Sequence, residues 1–318
     1  VFAEGKFTGA YFNIPAFVMV MALSWLLVIG IRESATVNNW IVAIKVAAIL
    51  LFVFGAARAV NSANWHPFFP NGFSGVMTGS AIVFFTYVGF DAVSTAAEEC
   101  KQPQRDMPRA LIATLAVCAT LYASVGLILT GIAHWKTLGN DAPVAVALKA
   151  LGYNGIRFGV TIGALLGMTT ALLVGQYGQT RIWFAMSRDR FLPPIFSRID
   201  PRYRTPAAST WIAGLAVAIG SGIFDIGTLG DLTNIGTLFA FVIVSIGVLV
   251  LRKTQPDRPR SFRVPLSPLL PILSILSCGA LMMSLPTATW IRFVVWLLIG
   301  LVIYFAYSKS RVASERAE

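Results

Sequence analysis

The stretch FFTYVGFDAVSTAAEE, residues 84–99, follows a long uncharged run and decides how the fold is interpreted. Residues 59–90 contain no Asp, Glu, Lys or Arg, and Gly89 and Asp91 stand where a membrane helix should be most apolar. An ionisable residue costs about 2.5–3.5 kcal/mol at the centre of a membrane helix, so Asp91 is a candidate functional residue. The pattern predicts an interrupted helix whose backbone groups bind a polar ligand. In the alternative interpretation, Gly89 permits close helix packing and Asp91 caps the next helical segment.

The composition predicts an all-α polytopic membrane protein. The chain has 318 residues, of which 56% are hydrophobic and 12% charged. Several windows of about 20 residues are almost free of charge, which is long enough for a helix to cross a bilayer. We place nine spans at residues 12–31, 39–57, 74–98, 109–132, 156–180, 207–224, 229–251, 267–285 and 288–308.

The positive charge of the chain is explained by membrane topology. The formal net charge is +11, which in a soluble protein would suggest a nucleic-acid partner. Most basic residues fall instead in the connections on one side of the predicted bilayer, especially in 178–206 and 252–265. The positive-inside rule makes that side cytoplasmic and places the C-terminus there. We therefore expect the lipid bilayer, and no nucleic acid, as a partner.

The sequence gives no indication of an enzyme, a metal site or a bound cofactor. Cys100, Cys118 and Cys278 lie far apart and form no CxxC pair. Neither an HExxH, a GxSxG nor a GxxxxGK motif occurs in the chain. We expect no catalytic residue and no metal ligand.

Lys45 is the second ionisable residue inside a predicted span. It lies six residues after Asn39, which places it about 9 Å into the helix. Its long stem could reach the cytoplasmic interface, so snorkelling is one explanation. A lysine that faces the interior of the helix bundle and exchanges a proton is the other. In the fifth span, the polar side chains of Thr169, Thr170, Gln176 and Gln179 are candidates either for a functional site or for helix packing.

The sequence resembles the amino acid permeases of the amino acid–polyamine–organocation superfamily, and the cationic amino acid transporter-like branch in particular. The resemblance is carried by FFTYVGFDAVSTAAEE and the following KQPQRDMPRA, by GQTRIWFAMSRDRFLPP (178–194), and by TWIRFVVWLLIGLVIYFAYS (289–308). It implies a five-plus-five inverted-repeat transporter fold with two peripheral helices.

Aligned with that plan, the nine spans correspond to helices four to twelve, and the first three helices are missing. We therefore expect this chain to be the C-terminal portion of a longer protein. Residues 1–57 would form the last two helices of the first repeat. Residues 58–251 would form the second repeat, with its broken helix at 74–98. Residues 252–318 would form a basic cytoplasmic loop, two peripheral helices and a cytoplasmic tail.

The resemblance also implies roles for individual residues. The substrate-binding positions that it implies are Phe85, Thr86, Tyr87, Val88, Gly89 and Phe90, and we add Thr169 from the polar residues of the fifth span. Backbone carbonyls at the break would receive the α-amino group of an amino acid, and Asp91 would set the break or the gate. Lys45 matches a lysine on the fifth helix of proton-coupled bacterial members, so it is the predicted coupling residue.

The expected function is secondary active transport of amino acids across the plasma membrane by proton symport. An exchanger of amino acids or polyamines is the alternative. The proton would be the coupling ion, and no other cofactor is expected.

Overall fold

The computed structural model describes residues 2–3, 6–7, 12–30, 35–90, 94, 100, 102–140, 142–224, 226–260, 262–309 and 311. Apart from a short antiparallel pair, β1 (Phe2–Ala3) and β2 (Lys6–Phe7), the described chain is mainly helical. Its α-helices are α1 (Ile14–Ile29), α2 (Ala35–Ala56), α3 (Gly72–Val83), α4 (Pro103–Ile132), α5 (Pro143–Ala150), α6 (Asn154–Arg188), α7 (Ala207–Ile223), α8 (Ile226–Thr254), α9 (Leu269–Met283) and α10 (Thr287–Ile303). The all-α polytopic architecture is confirmed.

Each of the nine predicted spans overlaps one α-helix of the structure. Among the described residues, five stretches are long and apolar enough to cross a membrane: Asn39–Ala59, Pro103–Ile132, Asn154–Arg188, Ile226–Thr254 and Thr287–Ser308. The other four predicted spans coincide with shorter apolar helices: Ile14–Ile29, Gly72–Tyr87, Ala207–Ile223 and Leu269–Met283. The number of membrane crossings therefore stays a prediction, as does the division into inverted repeats.

The end of α6 differs from the sequence prediction. The pattern predicts a helix that continues beyond the fifth span and stops at Pro193, but α6 ends at Arg188. Arg190 adopts a left-handed φ of 63°. The backbone N–H of Arg190 donates to Ser187, and that of Phe191 donates to Met186. These two hydrogen bonds satisfy carbonyls of the last helical turn, so the helix ends before it reaches Pro193 and Pro194.

The chain divides into two compact units, which we describe separately. The first contains residues 1–30, 73–111 and 176–318, and the second contains 31–72 and 112–175. In the first unit, α8 packs with α9 and α10 around an apolar cluster of Ala81, Ile235, Leu238, Cys278, Met282, Leu285 and Phe293. In the second, Phe52, Ala56 and Leu148 form the buried centre.

In the first unit, α1 packs closely on α7. Gly214 of α7 faces Ser24 of α1, and a Cβ atom added at Gly214 would collide with the hydroxyl oxygen and Cβ of that serine. The side-chain amide of Gln176 donates to the Ser24 hydroxyl at 3.2 Å, while Ser24 donates to the carbonyl of Val20 at 2.7 Å. A small residue and a buried polar pair therefore set the distance between the two helices.

Candidate substrate site at a helix break

Most of the predicted substrate-binding residues lie in the turn where α3 ends. The helix ends at Val83, and residues Phe84–Tyr87 continue as a tighter 3₁₀ turn. Val88 is extended, with φ −61° and ψ 130°, and Gly89 has a φ of +120°. A positive φ of this size is readily accessible only to glycine, so Gly89 allows the chain to leave the helical path. The last carbonyls of α3 consequently lack the partners that a continuous helix would provide.

The residues of this turn border open space. Phe85 is 43% exposed, Thr86 and Gly89 are also exposed, and Tyr87 is half-buried. A Cβ atom added at Gly89 would meet nothing within 4 Å. Thr86 donates its hydroxyl to the carbonyl of Val83 at 2.8 Å, which orients its methyl group and oxygen beside the turn. A small polar ligand could therefore approach the backbone at this point.

Asn234 of α8 braces the turn from the other side. Its side-chain amide donates to the carbonyls of Ala81 and Ile82 at 3.0 and 3.2 Å. Asn234 is 1% exposed and Ala81 is fully buried, so the bond to Ala81 forms away from water, whereas Ile82 is exposed. Within the described part of the chain, the Oδ1 atom of Asn234 is buried without a hydrogen-bond partner. The amide thus satisfies carbonyls of the last turn of α3.

Aromatic packing extends the same support across the break. Phe241 of α8 lies with its ring centroid 6.2 Å from that of Phe84 and 5.5 Å from that of Phe90. Asn234 and Phe241 are seven residues apart and share one face of α8, because seven residues make about two helical turns. One face of α8 therefore contacts the chain before and after the interruption.

The sequence analysis did not identify Asn234 or Phe241. The available signal was the segment GDLTNIGT, residues 230–237, in which Asp231 and Asn234 interrupt an apolar span. Asp231 accepts a hydrogen bond from Thr289 of α10 at 3.3 Å. Polar residues inside a span mark functional or packing sites, and here they contact α3 and α10.

Lys45 lies in the second unit, on the face of α2 that packs against α6. Three contacts define that face: Gly55 faces Ile156, Leu51 faces Gly159 and Ala48 faces Gly163. Positions 48, 51 and 55 follow a helical spacing, and residue 45 continues it by one turn.

The antiparallel order of these contacts places Lys45 at the level of Gly167. A Cβ atom added at Gly167 would meet nothing within 4 Å. Lys45 is half-buried, lies in the eleventh position of α2, and is six residues from the start of the apolar stretch Asn39–Ala59. The position on the packed face supports an interior orientation for the lysine.

Thr169 bonds to its own helix. Its hydroxyl donates to the carbonyl of Leu165 at 2.9 Å, and the hydroxyl of Thr170 donates to that of Leu166 at 2.9 Å. Other span hydroxyls do the same, including those of Thr120, Ser124, Thr130, Thr161, Thr233, Thr254 and Ser284. The bond to its own helix agrees with the packing interpretation of Thr169. A role of Thr169 in substrate binding stays a prediction.

The predicted site residues are distributed as follows. Phe85, Thr86, Tyr87, Val88, Gly89 and Phe90 belong to one turn of the first unit, whereas Lys45 and Thr169 belong to the second unit. Asp91 lies outside the described residues, so its expected role at the break or gate stays a prediction.

Sequence comparison finds a matching protein family and several similar proteins. Residues 4–309 match the family described as amino acid permease. The chain is 49% identical over 307 residues to the branched-chain amino acid permease BcaP of Bacillus subtilis (strain 168), covering 96% of this chain and 66% of that protein. It is 45% identical over 307 residues to the methylthioribose transporter of the same organism, covering 96% of this chain and 67% of that protein.

A plant relative is also similar. The chain is 42% identical over 252 residues to the cationic amino acid transporter 9, chloroplastic, of Arabidopsis thaliana, covering 79% of this chain and 44% of that protein. The chain thus spans about two thirds of the length of the bacterial relatives. The family and these relatives are permeases and transporters rather than enzymes.

Proposed function

Because the chain belongs to the amino acid permease family, we propose that it forms part of a secondary transporter that moves amino acids across the plasma membrane together with protons. The end of α3 at Val83 and the turn that follows it to Gly89 are the observation that carries this proposal. An interruption inside an apolar segment exposes backbone groups to a ligand without placing a charged side chain in the membrane. A substrate with a charged α-amino group matches the carbonyl oxygens at such a turn.

The substrate class that fits best is a neutral amino acid with an apolar side chain. Residues 59–90, which lead into the turn, contain no charged side chain, and the first carboxylate after them in the sequence is that of Asp91. The exposed ring of Phe85 and the half-buried ring of Phe90 provide an apolar surface beside the carbonyls. The name of the BcaP relative points to the same substrate class. A cationic amino acid, which the name of the plant relative suggests, is the less favoured choice.

The coupling ion in this proposal is a proton carried by Lys45. The lysine continues the face of α2 that packs against α6, so a gain or loss of its charge acts on both helices. A change in the charge of Lys45 during the cycle would therefore alter the packing of α2 against α6. That change links proton uptake to a conformational step.

Two other transport activities remain to be separated from this proposal. An exchanger would bind a second amino acid or polyamine in place of the proton. The methylthioribose transporter is named for a substrate that is not an amino acid, and it is nearly as similar as BcaP. Substrate competition therefore belongs in the first experiment.

The test uses the full-length protein reconstituted in liposomes. Counterflow of radiolabelled leucine, with unlabelled leucine, arginine, putrescine or methylthioribose as competitor, measures specificity. A proton gradient imposed across the same liposomes, with no substrate on the far side, measures coupling. The proposal expects competition by leucine and proton-driven accumulation. Uptake that occurs only when a second substrate is loaded inside would identify an exchanger instead.

A further inference from the structure

A basic cleft lies where α8 ends and α9 begins. Its volume is about 450 Å³, and its lining includes Leu249, Arg252, Lys253, Arg260, Arg263 and Ser267. Among the described residues that line it, four are cationic and none is acidic. Like charges gathered around one cleft repel one another, and an anion in the cleft would remove that repulsion.

Arg260 holds the loop in place rather than facing a ligand. One terminal nitrogen donates to the carbonyls of Pro256 and Arg258 at 2.9 and 3.3 Å. The other donates to the carbonyls of Leu251 and Gln255 at 3.1 and 2.6 Å. The guanidinium thus caps the C-terminal end of α8, where the helix dipole also favours a cation.

The remaining cations are positioned by this capped loop. Arg252 is half-buried and donates one hydrogen bond to the carbonyl of Val264 at 3.3 Å. Lys253 and Arg263 are exposed and border the cleft from the helix and from the loop, respectively. Ser267 adds a hydroxyl at the start of the segment that leads into α9. Ammonium, guanidinium and hydroxyl donors around one volume match the oxygens of a phosphate group.

Apolar residues next to the cleft indicate where that phosphate comes from. Leu249 lines the cleft itself, Val250 is 50% exposed and Leu251 is 45% exposed on the last turns of α8. Leu266 is 71% exposed and Leu269 is 53% exposed on the other side. A basic cleft at the end of an apolar spanning helix lies at the depth of lipid headgroups, on the side that the positive-inside rule makes cytoplasmic.

We propose that this cleft binds the phosphate of an anionic phospholipid of the cytoplasmic leaflet. Lys253 and Arg263 contact the phosphate, Arg260 shapes the loop, and the acyl chains lie along the exposed leucines of α8 and α9. The proposal does not depend on the transported substrate.

The experiment measures lipid retention by the full-length protein in detergent. Native mass spectrometry compares bound dioleoylphosphatidylglycerol with bound dioleoylphosphatidylcholine, and a thermal melt records stabilisation by each lipid and by inorganic phosphate. The double variant K253Q/R263Q is compared with the parent, with R263Q alone, and with R258Q. Arg258 belongs to the same loop and is exposed, but it does not line the cleft, so R258Q is a charge-matched control.

The parent protein should retain phosphatidylglycerol in preference to phosphatidylcholine. At about 1 kcal/mol per basic residue near the surface, the double variant should lose about thirtyfold in affinity, R263Q about fivefold, and R258Q much less. Equal retention of both lipids by the parent, or an equal loss in R258Q and R263Q, would overturn the proposal. Stabilisation by inorganic phosphate that matches the lipid would uphold the phosphate site and assign it to a soluble anion.

Discussion

The side-chain amide of Asn234 lies 3.0 Å from the carbonyl oxygen of Ala81, although 153 residues separate the two in sequence. The bond joins the middle of α8 to the last turn of α3, directly before the chain leaves the helix. A second bond, to Ile82 at 3.2 Å, uses the same amide nitrogen. The interruption at residues 84–89 is therefore supported by a partner helix as well as by the flexibility of its glycine.

Replacing Asn234 by leucine should weaken both the fold and substrate binding. The variant removes the side-chain donor from the buried carbonyl of Ala81, which costs about 1–3 kcal/mol, and from the more exposed carbonyl of Ile82, which costs less. We expect a lower melting temperature and a higher leucine concentration for half-saturation of counterflow by the full-length protein. Thr233→Val is the control, because its hydroxyl bonds only to the carbonyl of Leu229 in the same helix. Equal behaviour of the two variants would contradict the bracing role.

Replacing Gly89 by alanine should impair substrate binding through the backbone. Nothing lies within 4 Å of the added Cβ atom, so the effect comes from the φ of +120°, which costs an L-residue about 1–3 kcal/mol. Gly79→Ala is the matched control, since its Cβ also meets nothing and no positive φ applies there. Leucine affinity should fall about tenfold in the Gly89 variant and stay near the parent value in the control. Unchanged affinity in both would remove Gly89 from the site.

Lys45 is tested by separating binding from coupling. Lys45→Gln removes the charge, whereas Lys45→Arg keeps a charge that does not leave at physiological pH. Both should lose accumulation driven by a proton gradient, and both should retain counterflow, because counterflow needs no net proton movement. Accumulation that persists in either variant at the parent level would identify a snorkelling lysine. Asp91 would then be the next coupling candidate.

Gly214→Ala should destabilise the contact between α1 and α7. The new methyl group would collide with the hydroxyl oxygen and Cβ of Ser24, so the helices must separate at a cost of about 1–3 kcal/mol. The melting temperature in detergent should fall. Gly220→Ala in the same helix meets nothing within 4 Å and gains helix propensity, so it should leave stability unchanged or raise it. A lower melting temperature for both variants would point to a general effect of glycine loss.

The membrane topology is tested by labelling from each side. Asp189 follows α6, is exposed and lies in a strongly basic segment, so a cysteine there should react with an impermeant reagent only from the cytoplasm. Lys136 lies in the connection before α5, is exposed, and should react only from outside when replaced by cysteine. Ser187 is a poor labelling site because it is 6% exposed and bonds to Pro193 and Ser197. Reversed labelling of the two sites would invert the topology.

The sequence predicted those features that depend on local pattern. Uncharged runs located the helices, and Gly89 within such a run marked the turn, because glycine alone accepts its backbone angle. The short helix α5 also follows a local pattern, since residues 141–152 are apolar but too few to cross a bilayer. Boundaries were less accurate. The start of α2 at Ala35 was missed because Thr36, Asn38 and Asn39 resemble a polar loop.

Features that depend on tertiary contacts could not be predicted. Asn234 bonds to backbone carbonyls, which every residue possesses, so nothing in the sequence of α3 marks the partner. Ser24 and Gln176 form a buried pair over 152 residues, and neither segment has a pattern that selects the other. The left-handed Arg190 at the end of α6 was also unexpected, because such a conformation usually belongs to glycine or asparagine.

Several hydroxyl groups donate hydrogen bonds to carbonyls of their own helices, and this affects how the sequences of related proteins can vary. Thr120, Ser124, Thr161 and Thr233 each donate to a carbonyl four residues earlier. Such a bond is made whatever the neighbouring helix carries, so these positions are free to alternate among threonine, serine, valine and alanine over evolutionary time. Variation there should be nearly neutral, and differences in substrate preference between transporters of this kind should be traced to other positions.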